Sequence, residues 1–261
     1  MLPTTSSTYI TLAKDIKRKE RELARLHQMS KREAQFLSVV RHQLRTPLTV
    51  IVWTIGDLRN DPVCNQSQKT KEMLNDAYQA AQNMIEIIDD FLGVLKINPR
   101  ALKLKKRKVS SHNIIQGILK HYKIRIKEKG LEILYSGTNN FPAVVGDKQM
   151  LADAIRHIIS NAIAYTPENG SIKITLTDEG ETALIAISDT GIGIKKIDAE
   201  KIYLQYYRSK NAINMQPASS GLGLYVARPI IRAHKGELWF ESELGHGTTF
   251  YVRLPLAKSR Q

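Results

Sequence analysis

The sequence predicts an α+β chain in two parts: a helical hairpin that pairs with a second copy into a four-helix bundle, followed by a two-layer α/β sandwich. Three observations carry this. Residues 10–97 place apolar side chains at helical spacing, broken by turn chemistry only around Asn60-Asp61-Pro62. Beyond Asn98-Pro99 the pattern changes to short alternating runs interleaved with helices. Within that second part Asp178-Glu179-Gly180 joins two alternating runs as a hairpin turn, so the sheet contains antiparallel strands. The expected organisation is an N-terminal signalling helix (1–29), a helical dimerisation domain (30–98), a catalytic α/β domain (99–256) and a short tail (257–261).

Residues 1–9, rich in Thr and Ser around Pro3, read as loose chain. One long helix is expected from Ile10 to Asn60. Ile16, Leu23, Leu37 and Leu44 share a heptad position, and Leu26 and Val40 fall on the companion row. Ser30 and Glu33 interrupt that seam, so the coiled coil it predicts is uneven in strength. A second helix, 68–97, has the stripe Met73, Leu74, Ala77, Ala81, Met84, Ile87, Ile88, Phe91, Leu92 and Leu95. Two helices cannot cover two such faces by themselves, which is the reason to expect a homodimer.

In the second part a strand is expected near 102–108, a helix at 111–129 and a strand at 131–135 after the helix-ending Gly130. Val144-Val145 is a strand stub, and Asp147 caps a helix running to Tyr165. Strands 171–178 and 181–188 follow, then a long polar stretch from Lys195 to Pro217 with the look of a mobile lid. A helix at 221–234 and strands 237–241 and 248–254 close the chain.

A net charge of +14 raises nucleic acid or an anionic surface as a partner. The densest basic run, Lys96 to Lys108, has no interleaved aromatics on which bases could stack, so no nucleic-acid partner is expected. No stretch approaches the roughly 18 unbroken apolar residues of a membrane span, and a cytoplasmic location is expected.

Two places carry chemistry. In the first helix, Leu37, Val40, Leu44, Leu48 and Ile51 form one stripe and His42 falls opposite, facing solvent or a partner. Pro47 removes a backbone bond, costs about 3 kcal/mol and strands the carbonyl of Gln43 beside that imidazole. An ordinary surface histidine would give the same projection. In the second part, Asp189-Thr190-Gly191-Ile192-Gly193 follows a buried strand. A carboxylate there can accept from an exocyclic amine while the glycines admit close backbone approach. A plain glycine turn has the same spacing. Ser219-Ser220-Gly221-Leu222-Gly223-Leu224 opens a helix whose first amides can hold phosphate.

Arg41-His42-Gln43-Leu44-Arg45-Thr46-Pro47-Leu48 resembles the phospho-accepting segment of sensor histidine kinases, usually Ser-His-Glu-Leu-Arg-Thr-Pro-Leu. His157 to Pro167 resembles the asparagine box of the same family, Asp189 to Gly193 its adenine-recognising box, and Ile202 to Arg208 its phenylalanine box with tyrosines substituted. Gly221 to Leu224, through to Phe250, is similar to the family's closing segment. The resemblance covers roughly residues 30–256 and implies a Bergerat-type ATP-binding fold.

It further implies that ATP and Mg²⁺ are used, that His42 accepts the phosphoryl group and that an aspartate of a response-regulator receiver domain takes it on. Thr46 is placed to orient a water for the reverse, phosphatase-type reaction. Asn161 is the expected magnesium ligand. Tyr165, Asp189, Gly191, Gly193, Tyr207, Arg208, Lys210, Gly221, Leu222, Gly223 and Leu224 are the expected nucleotide contacts. The chain departs from the pattern at Gln43, which cannot act as a base; at His157, which replaces an asparagine; and at Ala164, where a lysine is usual. These departures motivate the alternative of a nucleotide-gated scaffold or phosphatase with weak kinase activity.

Overall fold

A computed structural model describes residues 19, 23, 48–58, 67–96, 104–216 and 219–257. The chain separates into two compact units, residues 1–88 and 89–261.

In the first unit residues 48–58 are helical, as expected, and helix α1 spans Gln68–Lys96, running past the division. Ser67 starts α1: its hydroxyl accepts from Thr70 N at 3.3 Å and its carbonyl from Lys71 N at 3.1 Å. The two helical stretches meet where a Cβ on Gly56 would lie 3.8 Å from the Tyr78 ring. Leu48 and Val52 are buried, one helical turn apart, together with Ala81. Ile51, expected on the buried stripe with Leu48, is exposed because the stripe follows the 3.6-residue turn to Val52. Trp53 at 70% exposure, and Val50, Met73 and Met84, are apolar side chains left uncovered in the single chain.

The second unit is an α/β sandwich. Its elements are β1 (Arg107–Val109), α2 (Ser111–His121), α3 (Lys123–Glu128), β2 (Glu132–Ser136), β3 (Val144–Gly146), α4 (Lys148–Tyr165), β4 (Ser171–Asp178), β5 (Thr182–Asp189), α5 (Lys210–Met215), α6 (Gly223–Ala233), β6 (Glu237–Glu243) and β7 (Gly247–Pro255). Five strands form one mixed sheet in the order β2-β4-β5-β7-β6, with β2 and β4 parallel and the other pairs antiparallel. The small antiparallel pair β1-β3 stands apart and is extended by a bridge from Val144 to Leu256.

One core joins the sheet to the helices. Alternation along β5 sends Ala183, Ile185 and Ile187 inward, and β7 answers with Phe250, Val252 and Leu254. From α4 come Leu151, Ala154, Ile155, Ile158, Ile159, Ala162 and Ile163, and from α6 Val226, Ala227, Ile230 and Ile231. The expected single helix over 111–129 is two, broken at Tyr122, whose ring is buried in the core. Of the strand expected over 102–108, residues 102 and 103 lie outside the described residues; the strand that forms is Arg107–Val109, where the chain finds a register against β3.

Asp147 locks the start of α4 as expected: Oδ1 accepts from Gln149 N and Met150 N at 3.1 and 3.3 Å, and Oδ2 from Lys105 N at 3.0 Å. Its own amide donates to His234 Nε2 at 2.9 Å, and His234 Nδ1 in turn donates to Ile230 O at 2.8 Å. That arrangement requires the neutral ring, which burial favours by lowering the His234 pKa. It ties the end of α6 to the start of α4.

Candidate functional site

Helix α4 is the element around which the expected nucleotide contacts assemble. Asp189 continues the inward series of β5, so the strand's period of two, rather than any loop, turns its carboxylate toward the interior at 7% exposure. Both of its backbone partners fall on one oxygen: Oδ1 accepts from Gly191 N at 2.9 Å and from Thr248 N at 3.2 Å. Burial pushes its pKa up to about 6, and these two amides hold it from rising further. Oδ2 has no protein donor among the described residues, which leaves a carboxylate oxygen as an acceptor at the end of a core strand.

The glycines beside it are required by space. A Cβ on Gly191 would lie 2.5 Å from both Asp189 Oδ1 and Tyr165 O. On Gly193, at φ +68, it would lie 2.0 Å from Glu243 O, and on Gly247, at φ +104, 1.9 Å from Asp189 O. Thr248 and Gly247, at the start of β7, are therefore as much part of this site as Gly191. They were not singled out from the sequence, because their role comes from the pairing of Asp189 with Thr248 across β5 and β7.

Tyr165, the last residue of α4, enters through its carbonyl, which accepts from Ile192 N at 3.2 Å. Asn161 lies one turn earlier and is partly exposed. Four residues before it, His157 is buried, and a Cβ on Gly223 would lie 3.3 Å from its Nδ1, so the start of α6 rests on this imidazole. Burial, and then Arg156, hold the His157 pKa well below that of a free histidine, and the ring is neutral. Gly221 has φ +69, and Ser220 Oγ accepts from Leu222 N at 3.2 Å, turning the chain into α6. The amides that open α6 have no acceptor within the helix and suit an anion.

The segment 195–216 is more ordered than its polar sequence suggested. It contains turns at Lys196–Asp198 and Lys201–Tyr203 and the short helix α5, capped by Ser209 Oγ, which accepts from Ala212 N at 3.3 Å. Tyr207 donates its hydroxyl to Asp198 at 2.6 Å. The Arg208 guanidinium donates to the carbonyls of Ala212 and Gln216, at the far end of α5, while Lys210 is exposed at its start. Tyr203 is held between Phe240 and the Arg228 guanidinium, which lies 4.2 Å from its ring centre.

His42, Gln43 and Thr46 lie outside the described residues, as does Pro217. No group of three or more His, Cys, Asp or Glu side chains suited to a metal occurs among the described residues. A cation here would rest on the Asn161 amide oxygen and on ligand phosphates, the sparse protein coordination that suits Mg²⁺.

Residues 146–258 match the family described as histidine kinase-, DNA gyrase B-, and HSP90-like ATPase, and residues 32–99 match the His Kinase A (phospho-acceptor) domain. The chain is similar to the adaptive-response sensory kinase SasA of Crocosphaera subtropica, 28% identical over 96% of this chain and 66% of that one. It is similar to the SasA of Gloeothece citriformis at 30% identity over 96% and 65%. The sensor histidine kinase WalK of Bacillus subtilis is 27% identical over 89% of this chain and 38% of its own length. The chain spans less than two thirds of the length of these relatives. Two solved structures share the fold. Full-length ShkA in complex with AMPPNP has a TM-score of 0.62 at 21% identity, over 87% of this chain and 47% of that one. The catalytic domain of the histidine kinase ThkA has a TM-score of 0.52 at 24% identity, over 58% and 96%.

Proposed function

This chain belongs to the histidine kinases of two-component systems, and from that premise we propose that it phosphorylates His42 from ATP and passes the phosphoryl group to an aspartate of a receiver domain. The observation that carries the reading is Asp189: a buried carboxylate with one oxygen fixed by two backbone amides and the other able to accept from the adenine amine. The opening amides of α6, at Gly223 and Leu224, hold the phosphates, with Gly221 and Leu222 shaping the turn before them. Tyr165, Gly191 and Gly193 line the base, and Tyr207, Arg208 and Lys210 belong to the segment that covers the triphosphate. Asn161 would hold Mg²⁺, which neutralises phosphate charge when bound.

In the transfer, a lone pair of the His42 imidazole attacks the γ-phosphorus in line. An N–P bond forms, the bond to the β,γ-bridging oxygen breaks, and ADP leaves with that electron pair. The imidazole proton must then go to water, since Gln43 is neutral. The exposed apolar side chains Val50, Ile51, Trp53, Met73 and Met84 support a homodimer through the helical unit. No helix of the described residues is long and apolar enough to cross a membrane.

Incubation with γ-labelled ATP and Mg²⁺ tests this. Acid-labile, alkali-stable label that disappears in His42→Ala is the expected result; label that persists in that variant overturns it. The second reading, a nucleotide-gated scaffold or phosphatase, is favoured by the commitment of Arg208 to carbonyls of its own segment and by neutral Gln43. It predicts nucleotide binding without label, with Thr46 orienting the hydrolytic water.

A further inference from the structure

Lys129 lies just beyond α3, and its ammonium reaches the carboxyl end of α4. It donates to the carbonyls of Ile163 at 2.8 Å, Ala164 at 3.2 Å and Thr166 at 2.5 Å. These carbonyls need an outside donor because a proline stands two residues past the end of α4. Pro167 has no N–H for the Ile163 carbonyl four residues back, and its ring pushes Thr166 out of the helix, to φ −84 and ψ 129. The Thr166 amide and hydroxyl both go to Ala162 O, at 3.1 and 2.6 Å, and relieve neither neighbour. A cation at this end also suits the helix dipole. The turn is gripped from the other side as well: Asn169 N donates to Lys129 O at 2.9 Å, and a Cβ on Gly130 would lie 2.5 Å from Asn169 Oδ1.

The capped end belongs to the nucleotide site. Tyr165 O, between the carbonyls that Lys129 holds, accepts from Ile192 N, and Gly191 fits against it only because it has no Cβ. Gly191 N is in turn one of the two amides fixing Asp189 Oδ1. We propose that Lys129 is a positioning residue for nucleotide binding: by holding the last turn of α4 it sets the Tyr165 carbonyl, and through it the Gly191-Ile192 loop and the Asp189 carboxylate. The inference rests on reading this cleft as the nucleotide site.

The test is calorimetric titration of the full chain with ADP and Mg²⁺, below the thermal midpoint of every variant. A role confined to stability would reduce the number of binding sites per chain and leave the Kd of the folded molecules unchanged. Positioning predicts one site per chain with the Kd raised about tenfold in Lys129→Met and nearly restored in Lys129→Arg, which keeps the charge and several donors. An unchanged Kd in Lys129→Met, with or without lost sites, overturns the inference while leaving the site reading intact. If Lys129→Met does not fold, Lys129→Gln, which keeps an amide donor, is measured instead, with a Kd increase of about threefold expected and no increase overturning the proposal. Absence of ADP binding by the unaltered chain would end both the site reading and this inference.

Discussion

Replacing Asp189 by Asn changes almost no volume, yet the structure predicts that it inverts the site. Oδ1 accepts from Gly191 N and Thr248 N, so the amide oxygen of the new side chain must take that place, and on the proposed adenine contact its NH₂ group would face the adenine amine, donor against donor. The lost contact is a hydrogen bond to a charged acceptor, worth about 1.5–3 kcal/mol, so the Kd for ADP should rise roughly ten- to a hundred-and-fifty-fold at pH 7.5. Stability should move the other way. The Asp189 pKa is raised from 3.8 to about 6, so the fold takes up a proton as pH falls through this window. The penalty is therefore absent in acid and fully present above about pH 6, where it amounts to roughly 3 kcal/mol. The uncharged variant escapes it, and without ligand its thermal midpoint at pH 7.5 should lie several degrees above that of the unaltered chain, by up to about 10 °C, the gap closing toward pH 4. Protonation also removes the acceptor, so between pH 7.5 and pH 5 the unaltered chain should lose affinity about tenfold and Asp189→Asn should lose none by this route. Calorimetry with ADP and a thermal melt at each pH measure these effects. Equal affinity of the two chains at pH 7.5 would refute the adenine contact, and a lower midpoint in the variant would refute the charge argument.

Gln43→Glu supplies the base that the imidazole proton lacks, and the initial rate of His42 labelling from γ-labelled ATP should rise on the order of a hundredfold with ADP affinity unchanged. An unaltered rate would mean that proton removal does not limit transfer. Gly247→Ala and Gly245→Ala form a contrasting pair: both glycines have positive φ, but a Cβ at 247 would lie 1.9 Å from Asp189 O while one at 245 meets nothing within 4 Å. Thermal melts should show a loss of about 1–2 kcal/mol at 245, from backbone strain alone. The loss at 247 should be several times larger, together with loss of ADP binding, and equal losses would show that β7 yields easily there.

Much of the architecture was legible along the chain because local pattern and tertiary demand agree. The alternating strand expected at 181–188 corresponds to β5, one residue later, and the helix expected from the Asp147 cap to Tyr165 corresponds to α4. Asp189, Gly191 and Gly221 could be named from spacing, since a carboxylate at a strand end and glycines at tight turns are local signals. Segment 195–216 was harder: its order comes from the Tyr207–Asp198 bond and from Arg208 closing the end of α5, contacts that leave no periodic trace in so short a stretch. The break at Tyr122 was equally hidden, because helical propensity runs unbroken through it and only core packing decides where the chain turns.

By itself, then, the order of residues determined which chemistry is present: an imidazole five residues before Pro47, a carboxylate at the end of an alternating apolar run, and glycines at 221 and 223. Tertiary structure decided what holds that chemistry in place. Thr248, distant in sequence, supplies the second amide to Asp189, Gly247 makes room for it, and Lys129 satisfies carbonyls that Pro167 leaves without donors. Such partners are set by strand register and helix packing, which join residues far apart along the chain.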